Sequence, residues 1–176
     1  ELLDGMQAGD YLVVGFGHND EKMEESRHTS GRGRYTDKGS FANSIYENYY
    51  LKAEEAGCTT ILCTPIVRRP SDGVWTDDCM HVTGNQGEFI GGDYPQAIRD
   101  MGKELGIPVV DMTKITRQMY DILGADKTKY LHAWPSNKES SVDNTHTNIW
   151  GGRVNAYLCL SEIKKLGVKG LAEHVV

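Results

Sequence analysis

The chain has 176 residues, of which 39% are apolar and 25% charged, with a formal net charge of −6. That length suits a single domain with a sizeable core. The acidic balance excludes a protein that wraps nucleic acid, and no apolar run approaches the ~20 residues of a membrane span. A soluble protein is expected, cytoplasmic or secreted.

Residues 2–9 read as the end of a helix and a turn. Residues 11–16 are nearly all apolar, the mark of a strand buried on both faces in a parallel sheet. A polar loop over 17–37 carries Arg27, His28, Arg32 and Arg34. The spacing of Ala42, Ile45, Tyr49 and Ala53 predicts a helix over 41–56, with Gly57 as its stop. A strand at 58–64 ends at Pro65, and the long irregular stretch 66–92 is of the kind that more often serves function than connection. Then come a helix over 94–105, a short strand over 107–111, a helix over 113–123, a polar loop over 128–142 and a closing helix over 148–166.

This alternation predicts an open parallel α/β sheet wrapped by helices, with right-handed crossovers. Ligands in such sheets bind at the carboxyl ends of the strands. Of the four cysteines (58, 63, 79 and 159), Cys63 is expected to pack as a small hydrophobe. No Cys-x-x-Cys pair suggests a zinc or redox motif, and disulfides stay open.

Two short stretches carry the chemistry. Gly17-His18-Asn19-Asp20 follows the first strand, where an Asn side-chain amide can donate to a developing oxyanion. The plain alternative is a strand end closed by two turn-favouring residues. Asp143-Asn144-Thr145-His146 precedes the last helix. There the carboxylate can accept from the ring Nδ1–H and leave Nε2 as a general base. Alternatives are an Asp helix cap beside an incidental His, or ligands for zinc.

Together, these stretches at opposite ends of the chain resemble the third and fifth blocks of the SGNH (GDSL-type) hydrolases, Gly-x-Asn-Asp and Asp-x-x-His. The form Phe16-Gly17-His18-Asn19-Asp20, with Thr64-Pro65, Arg68-Arg69, the stretch from Tyr94 to Arg99 and the strand ending at Asp111, is most similar to the rhamnogalacturonan acetylesterase branch. The resemblance covers nearly the whole chain. It implies a flavodoxin-like three-layer α/β/α sandwich and ester hydrolysis through an acyl-serine, without metal or cofactor. Asn19 would be the oxyanion donor, His146 the base and Asp143 its orienting acid. Gly17 would permit close backbone approach.

One block is missing. The family's nucleophile lies in a Gly-Asp-Ser motif after its first strand, whereas Gly9-Asp10 here is followed by Tyr11. Serines 26, 30, 40, 44, 71, 136, 140, 141 and 161 lack that context. The chain is therefore expected to be the C-terminal portion of an SGNH catalytic domain missing its first strands. A companion chain carrying the serine, or an inactive paralogue, are the alternatives.

For substrate, Arg69, His132 and Trp134, with Trp75, fall in loops expected to rim the crevice. Aromatics stack on sugars and arginines pair with uronate carboxylates, which suits an acetylated oligosaccharide or polysaccharide such as rhamnogalacturonan. A lipase- or thioesterase-like member would need an apolar groove. A non-catalytic flavodoxin-like binding domain would need a phosphate-cradling loop or an acidic phospho-acceptor cluster.

Overall fold

The computed structural model describes residues 2–134 and 141–175. The chain divides into two compact units, Glu1–Pro65 with His81–Asp111, and Ile66–Met80 with Met112–Val176.

The first unit holds the sheet. Strands β1 (Tyr11–Val14), β2 (Thr59–Cys63) and β3 (Val109–Val110) run parallel in that order. Val14 of β1 pairs with Leu62 of β2, so both project from one sheet face. Against it pack α1 (Phe41–Ile45) and α3 (Tyr94–Leu105), closing a core of Val14, Phe41, Ala42, Ile45, Leu62, Tyr94, Ile98, Met101 and Ile107. Tyr94, Ile98 and Met101 recur at the i, i+4, i+7 positions that put them on one helical stripe. Ser40 caps α1 by accepting from the Asn43 N–H, and Asp93 caps α3 by accepting from that of Gln96.

Most element positions agree with the sequence reading, and the differences have physical causes. The helix over 41–56 carries a π-helical turn, Tyr46–Tyr50, between α1 and α2 (Leu51–Ala56). The first strand stops at Val14, and it is not buried on both faces. Val13 is 48% exposed and Phe16 42%, because β1 is an edge with β2 on one side only.

The second unit contains α4 (Met112–Thr128) and α5 (Ile149–Leu166). α4 runs past its expected end, with a non-helical kink at Gly124. Asn148 caps α5, its Oδ1 accepting from the N–H groups of Trp150 and Gly151. Among the described residues, no helix is long and apolar enough to cross a membrane. All four cysteines are free thiols, and Cys63 is buried at 7% exposure.

Candidate functional site

Gly17 follows the end of β1 with φ of 136°, a region that favours glycine. A Cβ there would also stand 3.1 Å from Pro65 Cγ. The next residues turn back at once. The Asp20 carboxylate accepts the Gly17 N–H at 3.1 Å, and the N–H groups of Glu21 and Lys22 donate to the carbonyls of Gly17 and Asn19. Asn19 itself is exposed at the tip of this turn.

Remote residues hold the loop. The Tyr94 hydroxyl, from a fully buried ring, donates to the Thr29 carbonyl (2.8 Å), with the Asp20 carbonyl sharing that proton at 3.3 Å. Burial, with the nearby Glu21 and Asp20 charges, pushes that phenol up to about 12, so it remains a donor. Beneath lies Glu21, with both carboxylate oxygens 3.3 Å from Nδ1 of the buried His81. His81 also packs its ring 4.3 Å from that of His18. Its backbone has φ of 59°, the only positive value at a non-glycine among the described residues. Glu21 and His81 were missed by the sequence reading. A lone His in an irregular stretch sixty residues from its partner gives no pattern to find.

Asp143 and His146 lie in the second unit. One carboxylate oxygen of Asp143 accepts the N–H groups of Thr145 (2.7 Å) and His146 (2.9 Å); the other meets His146 Nδ1 at 2.7 Å. Partial burial of Asp143 opposes its ionisation, but those bonds outweigh it and hold the carboxyl at about 2. It is therefore a carboxylate at any working pH, and the ring contact places the proton on Nδ1, leaving Nε2 as the basic nitrogen. The His146 side chain is 77% exposed. Among the described residues, no group of three or more metal-ligating side chains forms.

Three further expectations concerned substrate. Trp134 is 45% exposed. Arg69 and His132 require correction: they are 8% and 0% exposed, with their polar groups turned inward. His132 Nε2 lies 2.6 Å from the Tyr120 hydroxyl. Burial lowers the imidazole and raises the phenol to about 12, so a neutral ring accepts from a protonated hydroxyl. Residues 66–80 turn inward here because their arginines find acceptors within the unit. Arg68 Nη1 donates to the Asp78 carbonyl at 2.9 Å, and Arg69 donates to three separate acceptors.

Ser40 is a helix cap, while the Ser30 and Ser161 hydroxyls donate to the carbonyls of Arg32 and Tyr157. Ser136 and Ser140 lie outside the described residues.

No family model matches the chain. It is similar to the rhamnogalacturonan acetylesterase RhgT of Bacillus subtilis, at 29% identity over 99% of this chain and 69% of that protein. A probable rhamnogalacturonan acetylesterase of the same organism, YesY, is 24% identical over 99% of this chain and 71% of its own length. The rhamnogalacturonan acetylesterase of Emericella nidulans is 26% identical over 95% of this chain and 66% of its own. Among solved structures, YxiM of Bacillus subtilis superposes with a TM-score of 0.69 at 20% identity. That match covers 96% of this chain, which spans only 40% of YxiM's length. The chain is thus an α/β protein similar along nearly its whole length to proteins named as rhamnogalacturonan acetylesterases.

Proposed function

We propose that the chain supplies the oxyanion donor and the acid–base pair of a carbohydrate acetylesterase acting on an acetylated pectic oligosaccharide or polysaccharide. The observation that carries this reading is the 2.7 Å contact between Asp143 and His146 Nδ1, in a chain similar over 99% of its length to a protein that bears the acetylesterase name.

In the proposed reaction a serine hydroxyl gives its proton to His146 Nε2 as its oxygen attacks the acetyl carbonyl. The carbonyl oxygen becomes an oxyanion that accepts from the Asn19 amide. Collapse expels the sugar hydroxyl, which takes the proton from Nε2. Water then loses a proton to Nε2, attacks the acetyl-serine, and acetate leaves as the serine regains its proton. Asp143, ionised throughout, keeps the ring oriented and stabilises the imidazolium.

The serine in this reading comes from sequence outside these 176 residues, on a strand that adds to the free edge of β1. Two features support that position. Gly-Asp-Ser is absent from the chain, and the β1 edge opens on a groove of about 490 Å3 lined mostly by apolar side chains, Leu12, Val13, Val14, Phe16 and Tyr49 among them, with Asp4 and Lys52 also in its wall. Exposed apolar edges of this kind are templates for strand addition.

The test is acetate release from acetylated rhamnogalacturonan by the complete protein, with fluorophosphonate labelling to locate the nucleophile. Labelling of a serine on a segment joined to β1, abolished turnover in His146→Ala, and retained substrate binding are the expected results. Wild-type activity that survives His146→Ala would overturn the assignment.

A further inference from the structure

The guanidinium of Arg69 is buried, yet among the described residues none of its bonded partners is a carboxylate. Its Nε–H donates to Thr128 Oγ1 (3.2 Å), its Nη1–H to Asn144 Oδ1 (2.9 Å) and its Nη2–H to the Ala125 carbonyl (2.6 Å). The Arg69 backbone N–H donates to the Asn144 carbonyl at 2.8 Å. Desolvating a cation against neutral acceptors is costly, and only a full set of well-placed bonds sustains it. The planar fork of arginine makes these bonds in fixed directions, which a lysine ammonium cannot reproduce.

Asn144 lies between Asp143 and Thr145, and Arg69 grips it at both its carbonyl and its side chain. The three acceptor bonds of Asp143 depend on where the 143–145 peptides point. A second tie meets the same turn from the other side. The Ala133 N–H donates to the His146 carbonyl, and the Asp143 N–H donates to the Ala133 carbonyl. His132, beside Ala133, is pinned by Tyr120, and the Arg69 charge adds to burial in keeping that imidazole neutral.

We propose that Arg69 is a positioning residue for the esterase reaction. It touches no substrate, and through Asn144 it holds Asp143 and His146 in the geometry in which Nε2 can take a proton. This rests on the acetylesterase reading above. A displacement of about 1 Å in such a group can lower turnover on the order of 10²-fold.

The experiment compares wild type, Arg69→Met, Arg69→Lys, Asn144→Ala and the double variant Arg69→Met/Asn144→Ala in the complete protein. It measures kcat and KM for acetyl-ester hydrolysis, and the low-field proton resonance of the Asp143–His146 hydrogen bond. The expected result is a 10- to 100-fold loss in kcat with KM within about twofold, for both Arg69 variants and for Asn144→Ala. The double variant should be no worse than the poorer single one, since both remove one contact, and the low-field resonance should broaden or vanish. A raised KM with kcat intact would mean that Arg69 binds substrate, and unchanged kcat with an unchanged resonance would mean that the clamp is idle; either overturns the proposal. Should Arg69→Met fail to fold, Arg69→Lys and Asn144→Ala give the same readings. A wild-type protein that is inactive and unlabelled by fluorophosphonate would sink the acetylesterase reading instead, while the resonance would still report on the clamp.

Discussion

The loop that carries Asn19 and the turn that carries His146 are held together in different ways. The carboxylate bonds of the Asp143 turn are local, since the three groups bonded to it lie within three residues, and Arg69 and Ala133 hold that turn from outside. The Asn19 loop leans on Tyr94 and on His81, the partner of the loop's own Glu21, both contributed from 60 and more residues away. The carboxylates of the two segments differ accordingly. Asp143 is stabilised as an anion and held at about 2, whereas burial of Asp20 outweighs its bonds to Gly17 and Thr29 and raises it. The Asp143 turn should fail first when its own residues change, with Arg69 as its remote support. The Asn19 loop can be disturbed from a distance.

Breaking the local turn should have the largest effect. Asp143→Asn keeps the shape but loses the anion that orients the ring, and kcat of the complete protein should fall roughly 10⁴-fold. A variant with near-normal turnover would remove Asp143 from the catalytic set.

Next comes Asn19→Ala, which removes one oxyanion donor. Turnover should drop about 10²–10³-fold with little change in KM, as measured with an acetyl ester. A change confined to KM would instead make Asn19 a substrate-binding group.

A remote change sharpens the comparison. Tyr94→Phe keeps the buried ring and deletes the hydroxyl that ties Asp20 and Thr29. Thermal or denaturant unfolding should show a loss of about 1 kcal/mol. The kinetic loss should resemble a mild Asn19 defect, while the low-field proton of the Asp143–His146 pair stays unchanged. If that resonance moved as well, the two segments would not be independently supported.

The smallest effects should appear in the pH dependence of stability. The folded value of Asp143, about 2, lies below its ordinary 3.8, so its contribution is fully present above about pH 4 and is lost as pH falls toward 2. Asp143→Asn should flatten the acid side of the stability profile. Asp20 has the opposite sign. The folded state holds its proton more tightly than the unfolded chain does, so stability declines as pH rises through its raised value. Asp20→Asn should remove that decline, and urea midpoints measured across the acid range distinguish the two slopes.

The legibility of each segment follows from the range of its contacts. Spacing offered the Asp143–His146 pair, since a carboxylate three residues before an imidazole needs only a turn to reach it, but a helix cap or a pair of metal ligands fitted the same spacing. The parallel order of the strands and the helices over 94–105 and 148–166 were likewise readable. Helical periodicity is written within a few neighbouring residues, and the structure adds the caps Asp93 and Asn148. Arg69 and His132 resisted such reading. A charged or imidazole side chain in a polar loop looks like a solvent-facing group until the acceptors that draw it inward are known. For Arg69 those acceptors, Thr128, Ala125 and Asn144, are 56 to 75 residues away. The left-handed backbone of His81 and its partnership with Glu21 were hidden for the same reason. Sequence alone determined which residue types could do acyl-transfer chemistry and which short turn joined two of them. Tertiary structure decided which polar side chains face solvent and which are consumed in holding those turns, because burial and long-range hydrogen bonds depend on chain segments that meet only after folding.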